Sequence, residues 1–248
     1  LKPFSDLLYA LPKEYHYAFD IVHYIVCIES VRADLGGDFE NFSRKNPLAC
    51  WVSSMMVCFA GGLLVNPLCG DPILDAIGEP VKIVIATLLW YLIFYCPEDV
   101  VYEYSKKKPA KIVLYVMKGL YYPKKILAGI KHAQHEFKYN PFAALIVGTI
   151  KANGSGMIKP FARLARGQWS PETFESVKPS PITKYCFIGC LLYVLFPGDI
   201  TYILITGLLV TMKAGPLFGL PEDPLVKVED IVAPYMFGGG KKGTAAAA

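Results

Sequence analysis

The chain has 248 residues, of which 54% are apolar and only 19% charged, and its mean hydropathy is +0.37. Soluble domains sit nearer to roughly 45–50% apolar and about 25% charged. The balance here excludes a disordered chain, a fibre, and a soluble nucleic-acid binder with a Lys/Arg-covered surface. The net charge of +4 names no partner by itself.

In chain order, the first twenty residues hold no continuous apolar run of the signal-peptide kind, and residues 1–14 read as an N-terminal lumenal segment. A helix that crosses a bilayer needs roughly 20 largely apolar residues. Seven stretches come near that: 15–32, 48–69, 81–96, 110–132, 142–164, 182–196 and 200–213. Prolines punctuate them. Asn46-Pro47, Glu79-Pro80, Lys108-Pro109 and Asn140-Pro141 open four spans, where a missing N–H costs nothing. Cys96-Pro97 and Phe196-Pro197 close two others. Residues 215–248 read as a cytosolic tail. The start at Leu and the Gly-Thr-Ala-Ala-Ala-Ala ending read as processed or appended ends. The alternative to seven spans is a large soluble all-helical core.

Loop charge gives an orientation. The first, third and fifth loops carry Arg32, Arg44 and Lys45; Lys106, Lys107, Lys108 and Lys111; and Arg163, Arg166, Lys178 and Lys184. The second carries Asp71, Asp75 and Glu79 and no base, the fourth only Lys138, the sixth only Asp199. Basic loops stay in the cytosol. The N-terminus is therefore expected in the lumen and the C-terminus in the cytosol.

An internal repeat is visible. Asn46-Pro47-Leu48-Ala49 followed by Gly61-Gly62 resembles Asn140-Pro141-Phe142-Ala143 followed by Gly154-Ser155-Gly156, and Pro97-Glu98-Asp99 resembles Pro197-Gly198-Asp199. Two units of three spans, about 15–97 and 109–197, must then be oppositely oriented, with a seventh helix at 200–214. Such inverted repeats place their site near the midplane. The expected fold is an all-α membrane protein: seven transmembrane helices, as two inverted three-helix repeats plus one. Gly61, Gly62, Gly154 and Gly156 fall near mid-span, where glycine permits a kink beside an aqueous path. Close helix packing on small residues is the competing explanation.

Lysines lie within the spans, and each is costly there. Lys118 and Lys125 are seven apart on one helix, with Tyr121 and Tyr122 between them and Lys124 adjacent. That basic strip would suit an anionic lipid phosphate; snorkelling and ion pairs are the alternative. Lys151 lies deep in the fifth span. Asp20 with His23 and Glu29 with Arg32 are spaced for local pairing on one helix face. His132, His135 and Glu136 lack the further ligands of a metal site. The sequon Asn153-Gly154-Ser155 lies inside a span and is expected to be unmodified. Seven cysteines at irregular spacing, several of them within apolar runs, read as small apolar fillers. No nucleophile elbow, phosphate loop or His-Glu-x-x-His is present, so no enzyme is indicated.

Six segments together resemble the trimeric intracellular cation (TRIC) channels of endoplasmic and sarcoplasmic reticulum, nearer the B-type branch. They are Phe19-Asp20-Ile21-Val22-His23-Tyr24; Lys45-Asn46-Pro47; Cys58-Phe59-Ala60-Gly61-Gly62; the run from Trp90 to Asp99; Lys124-Lys125-Ile126 to His132-Ala133; and Phe161 to Trp169. The resemblance implies a homotrimer with one pore per subunit and kinked second and fifth helices. It implies passage of potassium and other monovalent cations, offsetting charge during calcium release, and binding of phosphatidylinositol 4,5-bisphosphate as a lipid ligand, with no metal or redox cofactor. The family's fourth-helix lipid motif, Lys-Glu-Val-x-Arg-x-x-Lys, falls on Lys118-Gly119-Leu120-Tyr121-Tyr122-Pro123-Lys124-Lys125. Lys118 and Lys125 inherit the role; Gly119 replaces the Glu and Tyr122 the Arg, leaving Tyr122 one hydrogen bond to give and Lys124 a charge. Lys151 matches a basic pore-side position. A small-solute transporter on an inverted-repeat fold is the competing function.

Overall fold

Proline sets where the helices begin. In the computed structural model, which describes residues 2–237, twelve α-helices follow one another among the described residues. They are α1 (Lys2–Glu14), α2 (His16–Leu35), α3 (Phe39–Lys45), α4 (Pro47–Cys69), α5 (Pro80–Tyr95), α6 (Val100–Lys106), α7 (Lys108–Glu136), α8 (Pro141–Met157), α9 (Lys159–Leu164), α10 (Pro181–Leu195), α11 (Asp199–Ala214) and α12 (Leu225–Phe237). Pro47, Pro80, Pro109 and Pro141 each sit in a first turn. The Asn140 side chain caps α8 by accepting from the N–H groups of Phe142 (3.0 Å) and Ala143 (3.3 Å). Ser180 caps α10 through the N–H of Thr183 at 3.4 Å.

Seven of these helices, α2, α4, α5, α7, α8, α10 and α11, have 15 residues or more. By length and composition alone, two described segments suffice to cross a bilayer, Pro47–Cys69 and Asp199–Phe218. A third apolar unit is Pro80–Tyr95 with Pro97–Lys106, bent by 98° at the break. The bend has a local cause: Cys96 is extended, and Glu98 and Asp99 both adopt the left-handed conformation (φ 55° and 59°), which side chains other than glycine rarely take.

Two hydrophobic cores form. One is built by α2, α4 and α5, joined by Ile158 and Ala162 from the end of the α8–α9 segment. The other is built by α7, α8, α10 and α11, joined by Val65 and Cys69 from the end of α4. α4 and α8 thus cross, each giving its far end to the other's core. Glycine makes the crossing close: a Cβ on Gly61 would stand 2.8 Å from the Lys151 carbonyl oxygen, and one on Gly154 would stand 2.8 Å from the Gly61 nitrogen.

The structure corrects two expectations about helix shape. α4 is helical without interruption through Gly61 and Gly62, whereas α8 carries a non-helical residue at Asn153 (φ −113°, ψ 27°). Glycine allows a break without forcing one, and at the crossing its use is close approach. The N-terminal segment forms α1. The expected tail lies partly within the described residues: Lys184 on α10 holds Asp223 at 2.8 Å and Glu229 at 2.7 Å. The last eleven residues and Leu1, including the ends read as processed or appended, lie outside the described residues.

Candidate functional site

α2 and α7 run antiparallel, side by side, and their polar residues pair in order. Asp20 faces Tyr121, whose hydroxyl donates to the carboxylate. One turn on, His23 faces Lys118, whose ammonium donates to the imidazole Nδ1. His23 Nε2 lies 2.9 Å from the Cys58 carbonyl oxygen. A nitrogen that accepts from Lys118 leaves the other to donate, so these two contacts fix one tautomer. Lys118 Nζ also lies 3.7 Å from the Cys27 sulfur. These are long-range partners and not the local i, i+3 pairs that the spacing allowed. A buried polar group must be satisfied within the interior, and here the neighbouring helices supply the partner. The second spaced pair behaves alike. Arg32, 2% exposed, donates to both Asp99 oxygens and to the Ile93 carbonyl, between the rings of Phe39 and Tyr102 at 3.9 and 3.8 Å.

Against this pair lies a cavity of about 240 Å³. Of the predicted site residues it brings together Gly61, Gly62, Lys118, Tyr122, Lys125, Lys151 and Gly154. Lys118 and Tyr122 are nearly sealed, at 3% and 4% exposure. The heptad spacing of Lys118 and Lys125 survives Pro123, since α7 stays helical through it. Lys125 Nζ sits 4.7 Å over the Tyr121 ring. Gly62 packs on the turn at Ala76, where a Cβ would meet the alanine methyl at 2.7 Å. Two predicted residues lie elsewhere. Lys124, one residue off the shared face, donates to the Pro12 carbonyl at 2.7 Å and so anchors the end of α1. Gly156 faces away, toward Glu175 and Asn153.

Acidic groups come from the second loop: Asp75 and Glu79 reach the same cavity, and Glu79 holds Lys82 at 2.8 Å with Asp20 at 3.8 Å. Asp71 pairs instead with His132 at 2.8 Å. The sequon residue Asn153 is 4% exposed and donates its amide to Thr183. At the opposite end of the α2/α7 pair lies a second cavity of about 480 Å³, where Glu29 and Tyr115 meet Lys106, Lys111, Lys159 and Lys213. Sequence reasoning placed Tyr121 in the strip between Lys118 and Lys125 but did not foresee its bond to Asp20, and it did not pick out Cys27. The only signal was that Asp20, His23 and Cys27 share one stripe of α2.

Residues 37–214 match the family model for the TRIC channel. The chain belongs to the TRIC channel family. That family is one of ion channels and not of enzymes. Type 1B.1 of Caenorhabditis elegans is 37% identical over 235 residues, covering 92% of this chain and 79% of the relative. Type B of Danio rerio is 38% identical over 175 residues, 71% of this chain and 60% of the relative. Among solved structures, a TRIC channel from C. elegans in the absence of Ca2+ superposes with a TM-score of 0.78 at 36% identity, covering 88% of this chain and 97% of that one. A TRIC counter-ion channel studied for its activity in calcium release gives 0.76 at 29% identity, covering 81% and 92%.

Proposed function

We propose that this TRIC chain is a potassium-permeable monovalent-cation channel with one pore in each subunit of a homotrimer. It acts in the endoplasmic or sarcoplasmic reticulum membrane, with its N-terminus in the lumen, and supplies counter-ion current during calcium release. The relatives named above are trimeric intracellular cation channels, and one neighbour is a counter-ion channel in calcium release. One observation carries the reading. Two polar cavities lie at opposite ends of the α2/α7 pair, parted by a single layer in which Lys118 meets His23 and Cys27. A path of that shape narrows at one place, and the narrowing is polar.

Seven spans as two inverted repeats fit the same picture. The residues that correspond in the repeat, Gly61 and Gly154, touch each other, as equivalent positions do where a pseudo-two-fold axis passes. An ammonium in a cation path repels ions, by roughly 4 kcal/mol at 4 Å with an effective dielectric near 20. Neighbouring carboxylates relieve that at Lys82, which Glu79 and Asp20 approach. An anionic headgroup, phosphatidylinositol 4,5-bisphosphate in this reading, would relieve it at Lys118 and Lys125. Lys124, turned to α1, takes no part.

Recording the purified protein in planar bilayers under asymmetric KCl tests this. Unitary currents reversing toward the potassium equilibrium potential are expected. Slow, saturable exchange without unitary steps would instead mark a small-solute transporter.

A further inference from the structure

We propose that a third cavity, between α8 and α10, binds a cationic amphiphile: one apolar body carrying one ammonium head. The cavity holds about 660 Å³, within the roughly 300–1,000 Å³ of small-molecule sites. It shares no lining residue with either polar cavity of the path, and nothing about it depends on conduction. Its walls are apolar. Ile146 and Ile150 come from α8, Phe187 and Ile188 from α10, Phe174 from the loop before α10, and Leu225 from the start of α12. Ile146 and Phe187 are exposed, so the cavity opens sideways on the outer face of these two helices. A hydrocarbon chain can enter there and leave water behind.

The charge at the mouth selects the head. Glu175, Lys184 and Glu229 are the charged residues that line the cavity among those described. Lys184 is already neutralised twice, by Asp223 at 2.8 Å and by Glu229 at 2.7 Å. An anionic head would have to displace one of these carboxylates and would then face the others. Glu175 is only half engaged. Its Oε2 accepts from the Ser180 N–H and, at 2.8 Å, from the Thr183 hydroxyl, while its Oε1 takes no hydrogen bond among the described residues. Glycine makes room for that oxygen: a Cβ on Gly156 would stand 2.7 Å from it. Gly156 is the predicted glycine that faces away from the path, and this carboxylate is what it faces. Three carboxylates against one ammonium leave the mouth negative. A second ammonium, donating to Oε1, satisfies the free oxygen and offsets the excess charge at once.

The test uses the full chain in phosphatidylcholine nanodiscs, photolabelled with a hexadecylamine that carries a diazirine on its chain, with peptide mass spectrometry to locate the label. We expect label on the α8 and α10 residues that line the cavity. Plain hexadecylamine should compete for it about tenfold better than hexadecanol or hexadecanoate, which share the chain and differ in head charge. Glu175→Gln keeps an oxygen that can accept from Ser180 and Thr183 and loses the charge, so labelling should weaken by about tenfold. Ile188→Trp fills the cavity and should abolish labelling. Label spread evenly over the outward faces of the helices overturns the site. Hexadecanol that competes as well as the amine overturns the selection of a cation, and hexadecanoate that competes better gives the head to Lys184 and overturns it too. These competitions are read on the wild type and need no variant to fold. Labelling that survives in both variants overturns the assignment to this cavity.

Discussion

Lys118 is the residue on which sequence and structure bear most differently. Its depth and its heptad relation to Lys125 could be read from the chain; its partner could not, because His23 lies on another helix, 95 positions away. Composition and spacing report a helix face, not what another helix sets against it. Replacing a buried charge with an apolar side chain of similar length often leaves stability unchanged or raises it. Lys118→Met is therefore expected to keep the thermal stability of the trimer in detergent and to change unitary conductance and phosphoinositide binding. Recordings and lipid overlays identical to wild type would dissociate Lys118 from both roles. The pair Arg32–Asp99 predicts an asymmetry. Arg32 is 2% exposed and Asp99 36%, so removing the carboxylate strands a charge deep inside, while removing the guanidinium leaves one that can reach solvent. Asp99→Ala should cost about 3 kcal/mol and Arg32→Met clearly less, as read from the two melting temperatures.

Helix starts were the most legible elements, because a proline at the first turn is a local signal: α4, α5 and α8 begin at the prolines named from the sequence. Helix breaks were less so. The glycine pairs marked both central helices for a kink, yet only α8 departs from helical geometry, and it does so at Asn153 rather than at a glycine. What the glycines encode instead is distance between axes. A Cβ on Gly154 would meet Gly61 backbone at 2.8 and 2.9 Å, and backbone cannot rotate aside as a side chain can. Gly154→Ala should therefore lower stability by about 1–3 kcal/mol. Gly207 in α11 has nothing within 4 Å of its would-be Cβ. There alanine should leave stability unchanged or raise it by up to about 1 kcal/mol, the helix-propensity difference. Equal melting temperatures for the two variants would refute the close-crossing reading of the glycine pair.

At the scale of the whole molecule, the two halves are held together by charge at one end as well as by the crossing of α4 and α8. Asp34, two positions beyond the first apolar stretch, accepts from Arg163 at 2.9 Å and from Arg166, both in the second half of the chain. Loop counting had put the first loop and the Arg163 and Arg166 loop on one side of the membrane; that Asp34 bonds to both arginines needed the fold. Burial alone would raise the Asp34 carboxyl, but the Arg163 and Arg166 hydrogen bonds more than offset it and hold the group below the usual carboxylate range. A depressed native value means that the clasp contributes its full stability above the unfolded carboxylate value of about 3.9 and loses it as the pH falls through the lower native one. Asp34→Asn should cost on the order of 2 kcal/mol at neutral pH and flatten the acid limb of the stability profile. Melting the wild type and the variant side by side from neutral to strongly acid pH checks this. The two curves should converge in acid, where the wild-type carboxyl is protonated as well. Curves that stay parallel down to the lowest pH would mean that Asp34 steadies the two halves by packing rather than by its charge.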